Sequence, residues 1–186
     1  MKTIRRIFIA FLVLASIGIL FRGWFYRHLV EYKSVGLRKN YSAREEKLLN
    51  YIDTRSTELN DPNISQIIKL GLSITSEQLN YSIGKSDIDP NKLFSSKKAH
   101  CVGYASFFAS TCNYLIEKNK LADTWIAKPY AGQLYVFGSN IHQYFNSSFF
   151  KDHDFVTIEN KITGEFFAVD PTVNDYLCID FISYSK

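Results

Sequence analysis

The apolar pattern of this chain changes period once, and that change most constrains its fold. Between residues 43 and 118, three segments have apolar residues that recur at three- and four-residue steps. Beyond residue 123 they come as short runs rich in β-branched and aromatic side chains, broken by polar and glycine-containing stretches. Helices first and strands later imply an α+β domain with an antiparallel sheet. The aromatic share of 16%, carried by 15 Phe and 12 Tyr, favours strands and aromatic-lined grooves over a helical bundle.

Ser42 and Glu45 have capping-box spacing, and Leu48, Leu49, Ile52 and Leu59 follow, so a first helix is expected over 43–59. Asp61 and Pro62 form an N-cap and first-turn pair for a second helix, marked by Ile64, Ile67, Ile68 and Leu72 and ending near 79. Residues 82–98, with Gly84, Pro90 and many polar groups, predict a loop. Val102, Ala105, Phe108, Ala109, Cys112, Leu115 and Ile116 define one apolar face of a helix over about 101–118. Strands are expected at 124–131, 133–139, 154–160, 165–169 and 176–182, with 161–164 as a hairpin loop.

Residues 7–21 form an uncharged apolar run behind Lys2, Arg5 and Arg6. A membrane span needs about 20 apolar residues and a signal-peptide core about 7–15, so this run falls between them. Bulky Ile19, Leu20 and Phe21 stand where a cleavage site needs small residues, which favours an uncleaved anchor over a cleaved signal. Trp24, Phe25 and Tyr26 suit a membrane interface, so membrane contact is expected through residues 7–26. The basic flank places the N-terminus in the cytoplasm and the domain in the periplasm or outside the cell. The expected organisation is an anchor or signal segment over 1–27, a polar stalk over 28–41 and one domain over 42–186.

The chain carries a formal charge of +4, but five basic residues and no acidic ones precede residue 28. The remainder has 17 basic against 18 acidic residues, so it carries no nucleic-acid footprint. Of the three cysteines, Cys112 and Cys178 are able to pair and leave Cys101 free; three buried free thiols are an equal alternative. On one helix Cys101 and Cys112 would sit about 16 Å apart, too far for a bridge.

Three residues carry the chemistry. Cys101 lies where a polar loop gives way to a helical pattern, His153 opens one strand-like run, and Asp170 closes the next. A thiolate is stabilised by a helix N-terminus and a neighbouring imidazolium, and an aspartate holds the imidazole tautomer. Strands 154–160 and 165–169, joined by a hairpin, bring His153 and Asp170 to the same end of the pair. His100 and His142 compete for the base role, but neither precedes a strand that a hairpin joins to an aspartate. Backbone N–H groups at the helix start are an expected oxyanion site, with Gln78, Asn80 or Tyr81 as side-chain donors. A metal site from His100, Cys101, His142 and His153 lacks tight ligand-pair spacing, and no motif calls for a cofactor.

The runs Cys101-Val-Gly-Tyr-Ala105, His153-Asp-Phe-Val-Thr-Ile-Glu and Val169-Asp-Pro-Thr172 resemble, in this order, the transglutaminase-like superfamily. The resemblance covers roughly residues 60–180. It implies a papain-like core in which helices carry the nucleophile and pack on an antiparallel sheet. It also implies acyl transfer at an amide of a peptide or protein through a Cys101 thioester, with water or an amine as acceptor. Ala99 stands where the family often has Gly, and Phe155 where it often has Trp. Those departures motivate the alternative of a non-catalytic module that binds a peptide or cell-wall fragment. A structural partner in a membrane complex is a third reading.

Overall fold

The computed structural model describes residues 2–57 and 59–185, so position 58 of the expected first helix lies outside the described residues. Helix α1, Lys2–Leu20, is exposed along nearly its whole length. Its window Thr3–Leu20, with mean hydropathy 2.0, is long and apolar enough to cross a membrane, a property shared by anchors and signal sequences. Helix α2, Arg22–Leu29, continues from it, and strand β1, Val30–Leu37, follows at once.

This corrects the expected stalk. Residues 28–41 are part of the folded domain, because β1 pairs antiparallel with β4 (Trp125–Val136) on one side and parallel with β8 (Ser183–Ser185) on the other. The polar residues that suggest a tether belong instead to a strand with one buried side chain facing inward, Tyr32. Beyond it Asn40 Nδ2 donates to Ala127 O at 2.8 Å.

The main sheet runs β7 (Phe166–Val169), β6 (His153–Asn160), β4, β1, β8, with the two-residue strand β5 (Ser139–Asn140) paired to β4. It is mixed rather than purely antiparallel, because β8 runs parallel to β1. Ile182 N donates to Ala168 O at 3.0 Å, so the segment entering β8 also meets β7 and the sheet curls into a barrel. The two strands expected over 124–139 form the single strand β4, and the strand expected over 176–182 is the end of helix α7 (Pro171–Leu177) and a connection. Gly164, at φ 75°, ends the hairpin between β6 and β7 as expected.

Helices α3 (Glu46–Arg55), α4 (Ile64–Gln78) and α6 (Cys101–Lys118) form the other layer. Asn63, two residues after the expected start, caps α4 in a reciprocal capping box with Gln66, and α3 starts at Glu46 without a side-chain cap. Thirteen of the eighteen residues of α6 are buried, so it is a central helix rather than one with a single apolar face. Gly71 lets α4 approach it: a Cβ there would lie 2.6 Å from Cys112 Sγ. The stretch 82–98 contains the short helix α5 (Pro90–Ser96), capped by Asp89. Strands β2 (Asn80–Tyr81) and β3 (Lys98–Ala99) pair just before α6.

Two cores result. One lies among α3, α4, α6 and the outer face of β4, β6 and β7 and is mainly apolar, with Thr75, Ser106, Ser110 and Thr111 buried in the same layer. The other fills the barrel around Tyr32, Phe155, Ala168 and Ile182. Cys112 is buried in the first, Cys178 is exposed, and all three thiols are free.

Candidate functional site

Cys101, His153 and Asp170 meet where the helical layer abuts the barrel mouth. Cys101 is the first residue of α6 and 6% exposed. His100, the N-cap residue, makes no side-chain cap bond, so its side chain satisfies none of the first N–H groups of α6. His153 opens β6, and Asp170 follows the last residue of β7. Antiparallel pairing of these strands puts both at one barrel end, as the hairpin predicts.

His153 Nε2 and Asp170 Oδ2 are 2.6 Å apart, a charge-assisted contact. The imidazole and the Cys101 side chain line the same cavity. Because Nε2 is engaged by the aspartate, Nδ1 is the ring nitrogen left for sulfur. Burial works to lower the His153 pKa, but the Asp170 charge and hydrogen bond, with Cys101, hold it well above its ordinary value. For Asp170 burial works upward, yet His153 and Tyr32 hold the carboxyl below the usual range. Both directions describe an imidazolium–carboxylate pair.

Asp170 is fully buried, and each of its oxygens has two partners. Oδ1 caps α7 by accepting from Thr172 N at 2.9 Å and Val173 N at 3.1 Å. Oδ2 accepts from His153 and from Tyr32 Oη at 2.6 Å. With the Tyr32 proton committed to the carboxylate, Tyr26 Oη, 2.7 Å away, is the donor to Tyr32. A chain of hydrogen bonds therefore runs from α2 to the imidazole.

Arg38 braces the other side of His153. Its Nε and Nη2 each donate to a different oxygen of buried Asp154 at 2.9 Å, and Nη2 also reaches Asp152 Oδ2 at 2.9 Å. Both flanking residues of His153 are thus held by one guanidinium. Tyr32 and Arg38 lie in the segment read as a stalk, so the sequence reading misses them. The usable signal was the alternation of Val30 and Tyr32 with Glu31 and Lys33, a strand-like step inside the segment.

A cavity of about 190 Å³ opens over the cysteine, lined by Tyr81, Cys101, His153, Asp152 and an apolar wall that includes Leu134 and Phe145. Of the three expected side-chain oxyanion donors, Tyr81 lines it, whereas Gln78 and Asn80 do not. Burial, then the nearby Cys101 and Asp170, push the Tyr81 hydroxyl's pKa up and keep it a donor. His142 also lines the cavity. Its Nδ1 donates to Phe150 O at 2.7 Å, and its buried Nε2 has no partner. His100 turns instead to the edge of Phe149. Among the described residues no cluster has the ligands for a metal ion.

Ala99 and Phe155 each have a local packing reason. Ala99 packs against Gly103, where a Cβ would lie 2.8 Å from the alanine methyl. Phe155 is a barrel-core residue stacked on Tyr130 at 5.7 Å, over a glycine, Gly132, that leaves it room.

No known family, no curated protein and no solved structure matches this chain.

Proposed function

We propose that the chain is a transglutaminase-like cysteine enzyme that acts on an amide bond through a Cys101 thioester, held at a membrane by α1. What carries the reading is His153, hydrogen-bonded to buried Asp170 and lining one cavity with Cys101 at the start of α6. The division into a helical layer with the nucleophile and a barrel with the base also supports a papain-like core.

In the proposed reaction the Cys101 thiolate attacks the amide carbon. The tetrahedral oxyanion takes hydrogen bonds from the first N–H groups of α6 and from the Tyr81 hydroxyl. Protonated His153 gives its proton to the leaving amine as the C–N bond breaks, leaving the thioester. Neutral His153 then removes a proton from water or from an acceptor amine, which attacks the thioester and releases Cys101. Asp170 stabilises the imidazolium in both steps. The unpartnered His142 Nε2 offers a lone pair to an N–H of the substrate.

The test is the rate of iodoacetamide labelling at each cysteine against pH, by mass spectrometry, in the full chain and in His153→Ala. Exposed Cys178 is the internal reference and buried Cys112 the unreactive control. Labelling of Cys101 that outpaces Cys178 below pH about 8.5, the range of an ordinary thiol, and loses that lead in His153→Ala is the expected result. Labelling no faster than Cys178 would overturn the catalytic reading and favour a peptide-binding module in the same cleft.

A further inference from the structure

Three contacts fasten α2 to the barrel end that carries the site. Arg22 Nε donates to Leu177 O at 2.6 Å and Arg22 Nη2 to Cys178 O at 3.1 Å, so it grips the carbonyl end of α7. Tyr26 reaches Asp170 through Tyr32. Phe137 N, at the tip of β4, donates to Leu29 O at 3.0 Å.

These contacts fix the height of the site above the apolar segment. Backbone hydrogen bonds continue across Phe21, to Ile17 O at 2.9 Å and from Phe25 N at 3.0 Å, so α1 and α2 follow one helical path. At a rise of about 1.5 Å per residue, Arg22 stands about 3 Å and Tyr26 about 9 Å beyond Leu20. Helix α7, about 10 Å long, leads from Asp170 down to the carbonyls that Arg22 holds. Topology agrees. The chain enters β1 at the same barrel end at which β6 starts with His153 and β7 runs into Asp170. Large apolar side chains stand exposed there: Tyr176 (62%) and Leu177 (48%) at the foot of α7, Phe137 beside Leu29, and Trp24 on α2. They stand beside the α1–α2 path, where exposed Arg22, Arg27 and His28 on α2 suit the headgroup level.

We infer that the Cys101–His153 cleft works at a lipid bilayer surface, about 10–15 Å above the end of α1, with Tyr176, Leu177 and Phe137 resting on the lipid. The amide it attacks then belongs to a molecule tethered in the same membrane. This rests on the proposed acyl-transfer reading of Cys101 and on α1 as the spanning segment. A site held this low meets tethered amides at the high local concentration that a short tether provides, whereas a free peptide must arrive from bulk solution.

The test uses the full chain in phosphatidylcholine vesicles that contain phosphatidylethanolamine bearing iodoacetamide on a tetraglycine spacer, about 14 Å when extended. Free iodoacetamide at the same bulk concentration is the comparison, and an Ile162→Cys variant places a thiol on the hairpin at the opposite barrel end. The tethered reagent is expected to alkylate Cys101 and Cys178 at least about tenfold faster than the free one, with no such gain at the position-162 thiol. A flexible 20-residue insertion between Leu20 and Phe21 should abolish the gain at Cys101. Equal or smaller gains at Cys101 and Cys178 than at the position-162 thiol would overturn the placement, as would a chain that fails to float with the vesicles. If free reagent labels Cys101 no faster than Cys178, the catalytic reading falls; the gain at Cys178 then still decides how the domain sits.

Discussion

The helical layer and the barrel solve different problems, and the site is divided between them. The core around α3, α4 and α6 is mainly apolar; it delivers Cys101 on the end of a helix that is buried nearly all round. The barrel core is organised around a polar network: Tyr26, Tyr32, Asp170 and His153 share hydrogen bonds across four elements. A nucleophile needs only a rigid position, which dispersion and burial provide. A base and its orienting carboxylate need their lone pairs and protons matched one by one, because a buried charge without partners is expensive. Damage to the barrel should therefore disable the site and destabilise the fold together, whereas damage to the helical layer should cost stability alone.

The largest effect that would sharpen this contrast is expected at Arg38. Arg38→Ala leaves the fully buried Asp154 without its guanidinium and should cost about 3 kcal/mol, the low end for a broken buried pair, since the arginine is partly exposed. Urea unfolding measures the loss, and Cys101 labelling should slow with it because Asp152 and Asp154 flank His153. Tyr32→Phe should cost about 2 kcal/mol, the worth of a hydrogen bond to a charged group. It should also slow Cys101 labelling, since Asp170 loses one of the two donors at Oδ2. Gly71→Ala is the matched lesion in the helical layer. Its methyl collides with Cys112 Sγ, and overpacking of this kind costs about 1–3 kcal/mol. Here labelling of Cys101 should keep its pH profile; a profile that moves as far as in Tyr32→Phe would break the comparison.

The smallest effect is in pH. His153 has its pKa raised in the folded chain, so its contribution to stability is complete below the unfolded value of about 6.5 and is lost as pH rises through the folded value. The pKa of Asp170 is lowered, so its contribution is complete above about 3.9 and is lost as pH falls through the folded value. The pair should therefore stabilise the barrel fully between about pH 4 and 6.5 and persist past neutrality. Proton NMR of the His153 ring should find imidazolium at pH 7. In Asp170→Asn its titration should move down; a ring already neutral at pH 7 in the parent chain would remove the ion pair from the account.

The helices and the β6–β7 hairpin were legible because each is specified by neighbours in sequence. Period-3.6 spacing marks α4 and α6, the latter to its observed bounds, and a short turn fixes which ends of β6 and β7 coincide. Cys101, His153 and Asp170 were legible for the same reason: each sits at the boundary of such an element. The boundaries of α3 and α4 were less so, because Ser42 and Asp61 are as good capping residues as Asn63, and only the fold selects among them.

What the amino-acid order determined by itself was local: an apolar N-terminal run, a helix that begins at a cysteine, and a hairpin that aligns a histidine with an aspartate. The tertiary structure alone decided that residues 30–37 are a central strand rather than a tether. This short mixed stretch acquires its meaning only from strands more than ninety residues away, β4 and β8, which pair with its backbone. Which distant segments pair depends on the match between them, and neither segment shows that match by itself. For that reason Tyr32 and Arg38, the two side chains that hold the basic half of the site, became visible only when the barrel closed around them.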